Sequence, residues 1–155
     1  MNYSDIKLEW FGGNIDALEM CKALKVLLHT WDDIIDKDKP VSDELINNAF
    51  LICLVHLQIN PFYIRIQPAI IPMWITIVSS YETANKFEKD KDPKGLEISH
   101  MLRYAAGEIV AYAIYVCVGA ERAREILPDF WKAFASESYE DYRQEHLGDK
   151  NDSIN

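Results

Sequence analysis

The stretch Ile15-Asp16-Ala17-Leu18-Glu19-Met20-Cys21-Lys22-Ala23-Leu24-Lys25-Val26-Leu27-Leu28-His29-Thr30-Trp31-Asp32-Asp33-Ile34-Ile35-Asp36 decides the fold class. Ala17, Met20, Cys21, Leu24, Leu27, Leu28, Trp31, Ile34 and Ile35 recur at the three- and four-residue spacing of one helix face. Lys22, Lys25, His29, Asp32, Asp33 and Asp36 fall on the opposite face. Asn14 is a good N-cap after the Gly12-Gly13 break, and Lys37-Asp38-Lys39-Pro40 is a natural stop. A long amphipathic helix at the head of a chain needs other helices to cover it.

The rest of the chain supplies them. Upstream, residues 1–13 read as an arm: Ile6 to Trp10 alternates apolar and charged, which suits an extended segment, and Trp10 and Phe11 need a surface to cover them. Downstream, Ser42 caps a second helix, with Val41 and Ile46 placed for a hydrophobic staple. Its run Ala49 to Leu57 is apolar almost all round, which predicts a central, buried helix ending at Asn60-Pro61. Pro61, Pro68 and Pro72 argue against one regular helix over 61–72, so a third is expected from near Pro68 to about Phe87. Residues 88–92 read as a charged loop. A fourth helix is expected over Lys94–Val118, ending at Gly119. Short helices then follow over Ala120–Leu127 and from Asp129 to about His146, before a polar tail, 147–155. The expectation is an all-α, single-domain bundle of five or six helices around the second and fourth.

Composition narrows the function classes. The 155 residues make about one domain, and at 49% hydrophobic the chain can build a core without staples. A formal charge of −9 argues against a general nucleic-acid binder, which needs a basic face. Cys21, Cys53 and Cys117 sit apart in apolar segments and read as buried hydrophobes in a reducing compartment. The start has no basic and apolar pattern of a signal peptide. The longest uncharged run, Leu45–Ile64, is broken by polar residues and Asn60-Pro61, so no membrane span is expected and the chain reads as soluble.

Two helix faces carry the groups able to do chemistry. Asp32, Asp33 and Asp36 lie within one turn, with His29 a turn before Asp33. Carboxylates at that spacing suit magnesium, which takes one or two from protein and completes its shell with water and phosphate. The competing reading is a solvated charged face. Three aspartates at a helix C-terminus oppose the macrodipole, however, and such a broken local rule is expected at functional sites. The second stripe is Glu97, His100, Tyr104, Glu108, Tyr112 and Tyr115. Glu97-x-x-His100 has the spacing used by di-iron bundles but stands alone. Glu108 enters an apolar stretch, where Arg103 or His56 is a candidate partner. His56 reads as a hydrogen-bonded core residue.

Asp32-Asp33-Ile34-Ile35-Asp36 resembles the aspartate-rich motif of class I isoprenoid synthases, which implies Asp32, Asp33 and Asp36 as ligands of a magnesium–diphosphate. That family's second metal motif has no clear counterpart here, Glu108 being the nearest substitute. The longer run His29–Ser42, with Asn60-Pro61-Phe62-Tyr63 and more loosely Pro128-Asp129-Phe130, resembles small all-helical proteins of tailed bacteriophages. That resemblance implies a bacterial host cytoplasm or a virion and carries no catalytic residues. The functional expectation is a non-catalytic phage accessory or virion-associated protein that binds a protein partner or itself, with no nucleic-acid or membrane partner. The alternative is a magnesium-dependent enzyme acting on a diphosphate or nucleotide through Asp32, Asp33 and Asp36, with His29 or Glu108 as catalytic candidates. It requires the two stripes to face each other.

Overall fold

The structure is a computed structural model, and it describes residues 6–37 and 40–148. It is 85% helical, with no strand among the described residues, so the all-α class holds. The elements are a 3-10 turn at Leu8–Phe11, α1 (Ile15–Asp36), α2 (Asp43–Leu51), a π turn at Ile52–His56, α3 (Leu57–Ile59), α4 (Pro61–Asp90), α5 (Pro93–Leu102), α6 (Gly107–Phe134) and α7 (Tyr139–Leu147). The expected count of five or six helices is corrected. Four are counted among the described residues when α5, α6 and α7 are taken together across the breaks at 103–106 and 135–138: Ile15–Asp36, 43–59, Pro61–Asp90 and Pro93–Leu147.

The helix starts follow the capping residues. Asn14 Oδ1 accepts from the Ala17 amide at 3.0 Å, Ser42 Oγ from Leu45 at 3.2 Å, Asp92 Oδ2 from Gly95 at 2.6 Å and Ser138 Oγ from Asp141 at 3.1 Å. Asn60 acts twice. Its Oδ1 caps α4 through the Tyr63 amide at 2.8 Å, and its Nδ2 donates to the Asp16 carbonyl at 2.9 Å, tying the corner to the start of α1.

The prolines break less than expected. Pro68 and Pro72 lie inside α4, and Pro128 inside α6. Each is exposed, and so is the residue four before it, Ile64, Pro68 and Arg124. The carbonyl that loses its helical partner therefore faces water, which satisfies it. α4 also runs on through the predicted charged loop to Asp90, capped by Lys91 in the left-handed conformation at φ 51°. The predicted fourth helix is instead divided at residues 103–106 by successive i→i+3 turns. Gly119, at φ 79°, kinks α6 where a helix end was expected.

The core lies among α1, α4 and α6. Ala17, Met20, Cys21 and Leu24 of α1 pack with Phe62, Ile66 and Ile70 of α4 and with Ile109, Ile114 and Phe130 of α6. The arm is not extended at its tip. The 3-10 turn folds Trp10 and Phe11 into this core, with Trp10 edge-on to Phe130 at 5.9 Å. The second helix is not the buried centre: of Ala49–Leu57 only Ala49, Ile52 and Leu57 are buried. Its Cys53 and His56 are exposed, while Cys117 is half-buried. The first five residues of the arm and the tail beyond Gly148 lie outside the described residues.

Candidate functional site

At the C-terminal end of α1, Asp32 enters a polar network that draws on α4, α5, the 103–106 turn and α7. Its Oδ1 accepts from Tyr81 Oη of α4 at 2.5 Å and from Arg103 of the 103–106 turn at 3.0 Å. Arg103 forks onto Glu88 of α4: Nε donates to Oε1 at 2.8 Å and the terminal nitrogen to Oε2. Glu88 Oε1 also accepts from Ser99 of α5 at 2.9 Å and from the Tyr142 hydroxyl of α7. The guanidinium lies over the Tyr81 ring at 4.7 Å, and Tyr81 packs on Trp31 at 4.3 Å.

Electrostatics follow from that geometry. Burial by itself raises the Glu88 pKa, but hydrogen bonds from Arg103, Tyr142 and Ser99 and the Arg103 charge outweigh it and hold the carboxyl below its ordinary value. Tyr81 and Tyr142 are pushed up, first by burial and then by donating to a carboxylate. His29 is pushed down by burial and by Lys25 nearby.

A cavity of about 520 Å³ opens beside this network, lined by Lys25, His29, Asp32 and Asp36 of α1, Trp74 of α4 and Tyr104, among others. The predicted residues distribute as follows. His29, Asp32 and Asp36 share the cavity wall; Asp33 is half-buried and does not line it. Of the second stripe only Tyr104 joins them. The turn at 103–106 divides that stripe, leaving His100 on the Glu137 carbonyl at 3.2 Å and Glu108 exposed on α6. Arg103 therefore pairs with Glu88 and Asp32 rather than with Glu108. Among the described residues, no three His, Cys, Asp or Glu side chains converge as a metal-binding group. Magnesium at Asp32 Oδ1 would compete with Arg103 and Tyr81 for that oxygen.

Sequence reasoning missed Glu88, Tyr81, Ser99 and Tyr142. The signal for the first two was present. Ile70, Trp74, Ile77, Tyr81, Ala84 and Glu88 follow one another at four and three residues, so the inward stripe of α4 runs straight into Glu88. Reading 88–92 as a loop hid it.

The other prominent feature is apolar. On α2, the π turn and α3, Phe50, Leu51, Leu54, Val55 and Ile59 are exposed, Leu54 by 67% and Ile59 by 69%. On the outer side of α4, Ile64, Ile71, Ile75 and Val78 are exposed, Ile75 by 68%. The π turn contributes to this. Its wider winding shifts the helical register, so that only Ile52 and Leu57 of this stretch turn inward. Ile59 and Ile64 are the exposed apolar residues of the two strips nearest the Asn60-Pro61 corner in the chain.

No protein-family model matches the chain, and comparison with curated proteins and with solved structures likewise finds no match.

Proposed function

We propose that the chain works without catalysis, by binding another protein chain through the apolar face of α2, α3 and the outer side of α4. The observation that carries this is the placement of charge and apolar surface. Glu88 and Arg103 are largely buried and paired, while nine large apolar side chains stand in solvent. Summed over the two strips, they present on the order of several hundred Å² of apolar surface, the scale at which exposed apolar area marks an interaction site. Trp10 and Phe11 are buried in the chain's own core and contribute nothing to that face.

A lipid surface is the competing occupant. The runs Pro61–Asp90 and Pro93–Leu147 are long and apolar enough to cross a membrane by length and composition alone. Interfacial helices that lie on anionic lipid carry lysine and arginine along the polar side. Here Leu45 to Ser80 holds a single arginine, Arg65, and no lysine, which favours protein. The bacterial cytoplasm or virion as the setting rests on the resemblance to phage proteins.

The test is site-specific photo-crosslinking in the producing cell, with a photoreactive residue at Leu54 or Ile75 and a control at exposed Asp129. The expected result is a discrete protein adduct from the first two positions and none from the third. Adducts to lipid alone, or equal yields from all three, refute the proposal.

A further inference from the structure

We infer that the chain seated on this apolar face is a second copy of the same protein, packed as a two-fold dimer. The inference rests on the protein-binding reading above and names its partner. Three observations carry it.

The first is area. The exposed apolar side chains of the two strips sum to several hundred Å², the scale of the roughly 800 Å² that each partner contributes to a standard interface. The second is the kind of surface. Between Leu45 and Ser80 the sequence holds one formal charge, Arg65, and interfaces this poor in charge are characteristic of homodimers rather than of transient complexes. The third is charge across the whole molecule. Each chain carries a formal charge of −9, so two copies repel wherever acidic surfaces meet. The uncharged face is where they can approach without juxtaposing like charges, and the acidic surface around it disfavours other registers. A basic partner steered by charge would need carboxylates on the docking face. The exposed residues there are Phe50, Leu54, Ile59, Ile71 and Ile75.

The face also carries its own reporter. Cys53 is exposed and stands beside Leu54, while Cys21 is buried and Cys117 half-buried. A second copy over the face shields Cys53.

The experiment uses the full chain. Sedimentation equilibrium at roughly 10 µM is expected to give twice the 17.9 kDa chain mass, dissociating on dilution. Labelling of Cys53 by a thiol reagent, followed by peptide mass spectrometry, is expected to be about tenfold slower there than in the Leu54→Ser/Ile75→Ser variant, with the factor set by the residual monomer. That variant is expected to sediment as a monomer with unchanged helical circular dichroism. The wild-type mass and its concentration dependence test the inference even where the variant does not fold. A wild-type monomer with Cys53 labelled as fast as an unprotected thiol overturns the second copy and leaves an unlike protein partner standing. Co-sedimentation with phosphatidylcholine/phosphatidylglycerol vesicles, with Cys53 shielded only there, overturns both readings.

Discussion

Glu88→Gln probes the network at the end of α1 most directly. The substitution keeps the shape and one carbonyl oxygen but removes the charge, and it can set an amide N–H₂ against the terminal nitrogen of Arg103, donor against donor. Removing one member of a buried ion pair costs roughly 3–5 kcal/mol. The Glu88 and Arg103 side chains are 10% and 19% exposed, and Arg103 keeps Asp32 at 3.0 Å. The expected loss is therefore smaller, about 2–3 kcal/mol at pH 7. For a domain of this size that is a fall of roughly 5–10 °C in Tm. The assay is urea and thermal unfolding by circular dichroism, repeated with Arg103→Met and with the double variant, so that the coupling is isolated. The pH dependence fixes the cause. Glu88 is held below its ordinary value of 4.5, so its contribution is complete above that value and is lost as pH falls through the folded-state pKa. The difference between wild type and Glu88→Gln is expected to shrink toward pH 3. A loss under about 0.5 kcal/mol at pH 7, or one of equal size at both pH values, refutes the reasoning.

Gly107→Ala is expected to destabilise the fold by about 1–3 kcal/mol, because a Cβ there would lie 2.6 Å from Trp131 and 2.8 Å from Phe134; an unchanged melting curve would show that the two rings yield freely. Calorimetric titration of magnesium is expected to show no saturable site that Asp32→Asn/Asp36→Asn abolishes, since Arg103 and Tyr81 compete for Asp32 Oδ1 and no three His, Cys, Asp or Glu side chains converge among the described residues; binding lost in the double variant would restore the aspartates as ligands.

Local rules were legible and long-range pairing was not. The caps at Asn14, Ser42, Asn60 and Asp92 could be placed from residue type, because the cap bond spans only three residues. The inward stripe Ala17, Met20, Cys21 and Leu24 followed from period alone. Period failed where two readings share it. An all-apolar helix is equally consistent with a buried centre and with an exposed apolar face, and Phe50, Leu54 and Ile59 stand exposed. Proline was over-read: a carbonyl facing water loses little when its helical donor is missing, so Pro68, Pro72 and Pro128 stay within helices. Asp32 and Arg103 are 71 residues apart in the chain, and no local pattern joins them. The charge stripe on α1 was visible; its partner was not.

That partner explains why a network of charges is kept beneath the surface of so apolar a chain. α7 has nine residues and one buried side chain, Tyr142. A helix that short is marginal alone, and little apolar area holds it to the body. What it offers instead is the Tyr142 hydroxyl, shared between Glu88 and Ser99, with the ring against His100 at 5.1 Å and His146 at 4.5 Å. Glu88 in turn is oriented by Arg103, and Arg103 by Asp32. The chain of contacts therefore runs from α1 through α4 and the 103–106 turn to α7. The arrangement is that of a latch which docks α7 by geometry rather than by area.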